Sequence, residues 1–402
     1  MELLRHSLRD EFDNLTVHLA DVRTPAVVYD KQTLREDVRR VRKAAKNAGC
    51  KLLYSPKANT IRGVLDTIAD AVDGFAASSI FEARLSRDVL GDGKSVHITN
   101  PGMRPDEVAE VGEFCDYVAL NSLSQWRMFG PTLMESANCG LRVNPGMSLV
   151  RDLRYDPCRE FSKLGVPLDH LESLVVQNDN SLVGISGLHF HTNSEAREFS
   201  GLLATVRHLT DRIAPLFEKL EWVNLGGGYL FDKTGHIEEF EECVEILKDR
   251  FGLAVFIEPG TAIVRRSCYL VTSVVDTFFS DGRSIAVLDS STSHWPEIFE
   301  YQFEPDVIGD TQDGPCEFIL AGGTCLAGDL FGTYAFDAPI CIGDKMIIAN
   351  AGAYSWVKAN YFNGINLPSV YAITDEGELV LENEFLYEDF ARQCGGTIHA
   401  NH

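Results

Sequence analysis

Four sites in this 402-residue chain carry residue types that could do chemistry together. Lys57 stands in the apolar run YSPKAN, His191 in HFHTNS, Gly226, Gly227 and Gly228 in LGGGY, and Glu258 in FIEPG. A lysine among apolar neighbours is costly to keep charged without a partner. Burial therefore favours its neutral amine, the form that condenses with an aldehyde, although the same position equally suits an ion pair. Three successive glycines let backbone N–H groups face an anion such as phosphate, or supply a tight turn. A carboxylate at Glu258 suits a pyridinium nitrogen or a salt bridge to a neighbouring strand. His191 could ligate a metal with His189, but no third ligand stands out, and stacking on a planar ring fits better. Ser194 adds a hydroxyl three residues on. Amine, phosphate cradle and carboxylate together describe a site for pyridoxal phosphate.

Such residues need elements that bring them to one place. Short apolar runs with little alternation, the pattern of strands buried on both faces, recur between helical patterns. They are KLLYSPK (51–57), GFAASS (74–79), VHITN (96–100), YVALNS (117–122), GLRVNP (140–145), GLHFHT (187–192), WVNLGGG (222–228) and AVFIEPG (254–260). Eight βα units predict a (β/α)8 barrel, whose sites lie at the C-terminal ends of the strands. Those ends carry Lys57, Ser78, Ser79, Asn100, Asn121, Asn144, His191, the glycine run and Glu258. Beyond Gly260 the texture turns to closely spaced β runs, which predicts a mostly antiparallel β domain. The expected division is a barrel over 24–265 and a β domain over 266–402, joined by residues 1–23.

Composition narrows the partners. With 36 Lys and Arg against 59 Asp and Glu, the formal charge is −23, which argues against nucleic acid and anionic membrane surfaces. It suits a small cationic substrate as well as plain solubility. No apolar stretch approaches the length of a membrane span, and the charged MELLRHSLRDEFDN start has no secretory signal pattern. Ten dispersed cysteines without a CxxC pair read as free thiols in a reducing cytoplasm, with no structural metal site.

The ordered set TPAVVYD, SPKAN, GLHFHTNS, NLGGG, EPG, GGTCLAGD and AGAYS resembles the fold-type III pyridoxal-phosphate-dependent decarboxylases, from about residue 24 to 370. Within them, YDPCREFSKLG, LDSSTSHWPE, GGTCLAGD and YSWVKANYFNGIN look most like the branch acting on carboxynorspermidine or carboxyspermidine. The resemblance implies that Lys57 carries the cofactor aldehyde, that His191 stacks on its ring, and that Glu258 meets the ring nitrogen. It implies that Ser194, Gly226, Gly227, Gly228 and Tyr354 hold the phosphate, with Arg142 near the cofactor. Cys325 matches the residue that protonates the product carbanion and that enters from the partner subunit, which implies a homodimer with shared sites. Glu258 and Asp289 match substrate-contacting positions, and Glu297 and Asp329 would extend an acidic site for a polyamine tail.

Departures from the family sharpen the substrate. Leu326 follows Cys325 where ornithine and diaminopimelate enzymes carry Asp or Glu. Thr261 follows EPG where both usually carry an arginine, which in diaminopimelate enzymes grips the distal carboxylate. Asn193 replaces the glycine of the usual HxGS. The alternatives are a decarboxylase of diaminopimelate or a smaller basic amino acid, a pyridoxal-phosphate racemase, and a non-catalytic homologue. Glu258 and Cys325 together count against the racemase, and intact Lys57, Glu258 and Cys325 against the non-catalytic homologue.

Overall fold

The computed structural model describes residues 19, 22–232 and 237–396. Among the described residues the chain divides into two compact units, one within 36–263 and one combining those up to 35 with those from 264 on. Strand β1 (Ala26–Asp30) and helix α1 (Lys31–Ala48) come first, and the division falls within α1.

The first unit holds parallel strands β2 (Lys51–Tyr54), β3 (Gly74–Ala77), β4 (Ser95–Ile98), β5 (Tyr117–Leu120), β6 (Asn138–Asn144), β8 (Gly187–His189), β9 (Trp222–Asn224) and β10 (Ala254–Ile257), with a two-residue β7 (Val166–Pro167) added beside β6. Pairing of β2 with β10 and of β5 with β6 closes the ring, so the eight apolar runs form a closed parallel barrel. Helices α2 (Arg62–Ile68), α3 (Ile80–Leu90), α4 (Val108–Phe114), α5 (Leu123–Leu133), α6 (Leu168–Val176), α7 (Ser200–Arg212) and α8 (Ile237–Phe251) lie in the connections. Two of them start on a legible signal. The Ser79 side chain accepts from Glu82 N–H and the Ser122 side chain from Gln125 N–H, the Ser-x-x-Glu/Gln pattern of a capped helix.

Large side chains plug the interior of the barrel. Trp222, Phe256, Leu53, Ala76 and Ala119 form one buried cluster. His97 stacks on Tyr117 at 4.3 Å and 6°. Trp222 fits because Gly140 and Gly187 face it; a Cβ on Gly187 would lie 2.0 Å from the indole. The strands are thereby held by a solid floor, and the polar groups at their C-terminal ends stand above it.

The second unit is a mostly antiparallel sheet. Its strands are β11 (Cys268–Ser280), β12 (Arg283–Leu288), β13 (Cys316–Ala321), β14 (Leu330–Phe336), β15 (Lys345–Ile348), β16 (Ser369–Ile373) and β17 (Leu379–Asn383), ordered β14-β13-β12-β11-β1-β16-β17 with β15 beside β11. A bulge between Val274 and Asp276 lets β11 pair β1 and β15 along its first half and β12 along its second. Strand β1 thus departs from the expected barrel over 24–265. It pairs antiparallel with β11 and parallel with β16, because its run AVVYD is buried in this unit's core with Tyr269, Val271, Ile347 and Tyr371. Of the expected connecting segment 1–23, only Leu19, Val22 and Arg23 are among the described residues.

Candidate active site

A cavity of about 360 Å³ opens at the C-terminal ends of the barrel strands. Lys57, Arg142, His191 and Glu258 line it, with His189, Asn224, His97 and Tyr117 deeper in. The chain therefore brings together four of the residues singled out from sequence. Lys57 sits in the 3-10 turn Pro56–Ala58 directly after β2, and Arg142 comes from β6. Among the described residues no carboxylate lies within ion-pair distance of either cation. Burial lowers the pKa of the Arg142 guanidinium from its ordinary value, against the opposing charge of Glu258.

Glu258, just past β10, is buried and held from two neighbouring strands. His189 Nε2 lies 3.2 Å from its Oε1, and Asn224 donates Nδ2–H to its Oε2 at 2.8 Å. Burial alone would raise its pKa; the hydrogen bond from His189 and the charge of nearby Lys57 override that and hold it below the ordinary carboxylate value.

His191 accepts a hydrogen bond at Nδ1 from the Gly227 N–H at 3.0 Å. A nitrogen that accepts carries no proton, so the ring is neutral with its hydrogen on Nε2. Burial pushes the His191 pKa well down, reinforced by the charges of Lys57 and Arg142. His189 and His191 thus serve different partners.

The glycine run corrects one expectation. Three N–H groups aimed at an anion are not present, because Gly226 N–H is taken by Asn224 Oδ1 at 2.9 Å and Gly227 N–H by His191. Of the three, Gly228 alone keeps an N–H with no acceptor among the described residues. The glycines are required by crowding instead. A Cβ on Gly226, Gly227 or Gly228 would lie 2.4, 2.5 or 2.0 Å from the carbonyl oxygens of Phe190, Glu258 and Asn193. Beside them, Asn193 turns its Oδ1 onto Ser194 N–H at 3.1 Å. It needs no glycine-like backbone; the left-handed position is Glu195, at φ 52°.

The remaining candidates lie in the sheet unit. Asp329 is buried and accepts from Thr292 N–H (2.7 Å) and Oγ1–H (2.8 Å) and from Thr324 N–H (3.1 Å) and Oγ1–H (2.5 Å). Asp289 accepts from Thr24 Oγ1 (2.5 Å), Thr272 Oγ1 (2.6 Å) and Ser273 N–H (2.9 Å), stitching β12 to β11 beside the bulge. These two carboxylates hold the sheet unit together, contrary to the expectation of free acids facing a cation. Glu297, at the start of α9 (Glu297–Tyr301), pairs with Lys358 Nζ at 3.1 Å. Cys325 is exposed and its N–H is held by Asn363 Oδ1 at 2.7 Å. Tyr354 follows β15 in a left-handed conformation at φ 56°.

Residues 31–265 match the family described as pyridoxal-dependent decarboxylase, pyridoxal binding domain. The chain belongs to this family. Its relatives include the carboxynorspermidine/carboxyspermidine decarboxylase of Herminiimonas arsenicoxydans, 32% identical over 92% of this chain and 98% of the relative. The carboxyaminopropylagmatine decarboxylase of Synechocystis is 30% identical over 94% and 97%. In structure, the carboxynorspermidine decarboxylase of Campylobacter jejuni, solved with norspermidine, superposes with a TM-score of 0.84 at 27% identity, covering 92% of this chain and all of that one.

As a family member the chain is a pyridoxal-phosphate-dependent decarboxylase, and its cavity fits that cofactor. Lys57 and Arg142 face it without a carboxylate partner, and Glu258 is ionised at its base. Of the groups expected to hold a phosphate, the Gly228 N–H and the Ser194 hydroxyl have no partner among the described residues. Sequence reasoning missed Asn224 and His189 as partners of Glu258. The signal was alternation along the strands, which puts Asn224 on the same face as Gly226 and His189 on the same face as His191. Asn100 and Asn144, polar strand ends, close turns onto Gly102 and Gly146 N–H instead. Asn121 clamps the loop after β6 through Lys163 O and Gly165 N–H.

Proposed function

We propose that the chain removes the carboxylate of carboxynorspermidine or carboxyspermidine, releasing carbon dioxide and norspermidine or spermidine. It acts in the cytoplasm as a homodimer whose subunits share their sites. Thr261 carries this reading. It opens the short helix directly after Glu258-Pro259-Gly260 and offers no cation for a second carboxylate. That suits a substrate with one carboxylate and a cationic tail. The relatives named for such substrates are 29–32% identical, the diaminopimelate decarboxylases 20–27%.

In this reading Lys57 holds the cofactor aldehyde, Glu258 its ring nitrogen, and Ser194, Gly228 and Tyr354 its phosphate. Bound pyridoxal phosphate supplies the sink for the electron pair left behind when carbon dioxide departs. His191 offers a flat, uncharged face, so it adds no positive charge to a cavity already lined by Lys57, Arg142, Arg154 and Lys163. Cys325 Sγ–H, from the other protomer, supplies the proton that replaces the carboxylate on Cα, and the Lys57 amine then frees the product. Glu297 is the acidic group for the substrate tail, exchanging Lys358 for a substrate ammonium.

The test is carbon dioxide release from carboxynorspermidine, carboxyspermidine, carboxyaminopropylagmatine, ornithine, lysine, arginine and diaminopimelate. The highest kcat/KM is expected for one of the first two. Preferred turnover of diaminopimelate or ornithine overturns the substrate, and no turnover of any overturns the activity.

A further inference from the structure

His189 and Asn224 belong to neighbouring strands in register, His189 opposite Asn224, and the strand after them carries Glu258. The carboxylate reaches back across both, so each oxygen meets one donor: Nε2 of His189 at 3.2 Å and Nδ2 of Asn224 at 2.8 Å. Asn224 is itself fixed, because its Oδ1 takes the Gly226 N–H. All three side chains are buried. His189 Nδ1 is buried and has no hydrogen-bond partner.

That orphan atom decides the tautomer. The nitrogen facing an anionic carboxylate must carry the hydrogen, so Nε2 donates. A second hydrogen on Nδ1 would be a buried N–H without an acceptor, which folded proteins almost never tolerate, whereas a bare lone pair there is cheaper. His189 is therefore neutral. Burial, with Arg142 and Lys57 nearby, lowers its pKa in the same sense, while Glu258 opposes them. A neutral donor orients Glu258 without cancelling its charge, as an adjacent lysine or arginine would.

We propose that His189 is a positioning residue which, with Asn224, brackets Glu258 so that the full negative charge of the carboxylate is aimed at the protonated ring nitrogen of the cofactor. This rests on the reading above that Glu258 meets that nitrogen.

The test is equilibrium binding to cofactor-free protein, using pyridoxal phosphate and its 1-deaza analogue, which lacks the ring nitrogen. The wild type should bind pyridoxal phosphate the more tightly. His189→Met, which keeps bulk and loses the donor, should shrink that preference by about tenfold, the worth of one hydrogen bond to a charged group. His189→Gln, which keeps a donor, should restore most of it. Equal weakening of both ligands, or no change in either, overturns the proposal, because a merely structural role predicts one or the other. If His189→Met does not fold, judged by circular dichroism, Asn224→Ala removes the other donor and must shrink the same ratio. Glu258→Gln is the control. If it leaves the wild-type preference intact, the assignment of Glu258 to the ring nitrogen fails, and that failure is distinguishable from a failure of the bracket alone.

Discussion

Replacing Asp329 separates a residue that holds the fold from one that binds substrate. Its carboxylate accepts four hydrogen bonds, two from backbone N–H groups and two from hydroxyls, between the Thr292 turn and the Gly322–Leu330 segment. In Asp329→Ala the hydroxyls can rotate to other acceptors, but the Thr292 and Thr324 N–H groups are left behind. At about 1–3 kcal/mol for each unsatisfied buried donor, the loss is about 4 kcal/mol. Asp329→Asn keeps one acceptor oxygen and turns an NH2 toward the other pair of donors, so about 2–3 kcal/mol is expected. A whole-protein melt would blur this across two units. Hydrogen exchange read by mass spectrometry on peptides containing Thr292 and Thr324 is local. At about 1.4 kcal/mol per decade, Asp329→Ala should exchange roughly a thousandfold faster there if these amides open locally. Peptides from the barrel should be unchanged. Unaltered exchange together with a tenfold rise in KM would refute the assignment and return Asp329 to the substrate.

Lys57→Ala should fold normally and release no detectable carbon dioxide; normal release would remove Lys57 from the site. Cys325→Ala should bind the cofactor as the wild type does but turn over about 10²–10⁴ times more slowly, the usual worth of a positioned general acid, and loss of cofactor binding would point to a structural role instead. Gly228→Ala must fit a Cβ 2.0 Å from Asn193 O at φ 89°, so it should lose cofactor retention on gel filtration, and full retention would show that the loop yields cheaply. Buried histidines should make the protein acid-labile. His97 is pushed down to about 3 and His294 to about 4, both by burial. Below the ordinary histidine value near 6.5 the unfolded chain takes protons that the folded chain refuses, so stability present at pH 7.5 is lost as pH falls. Each of the two contributes a loss of about 2 kcal/mol by pH 5, seen as a lower urea midpoint at pH 5.0 than at 7.5; equal midpoints would contradict their buried, neutral state.

What was legible in the sequence, and what was not, follows from how far each feature depends on distant partners. The eight barrel strands are readable because a strand buried on both faces leaves its mark in its own five or six residues, and Lys57, His191 and Glu258 are readable because they end such strands. The partner of a strand is less so. AVVYD resembles a barrel strand, and only its pairing with β11 and β16, more than 230 residues away, puts it in the other sheet. Hydrogen-bond availability is the least local property of all. Three glycines advertise three N–H donors, yet Asn224, two residues back, and His191, beyond the neighbouring strand, consume two of them. Asp289 and Asp329 advertise negative charge for a cation, yet threonines from elsewhere in the chain occupy their oxygens. The same accounting works in the other direction at Glu258. Its two donors are invisible until β8, β9 and β10 lie side by side, and once they do, the orphaned Nδ1 of His189 reveals which proton that histidine lacks. A residue type therefore nominates a site, and the donors and acceptors left over after folding decide whether it can serve.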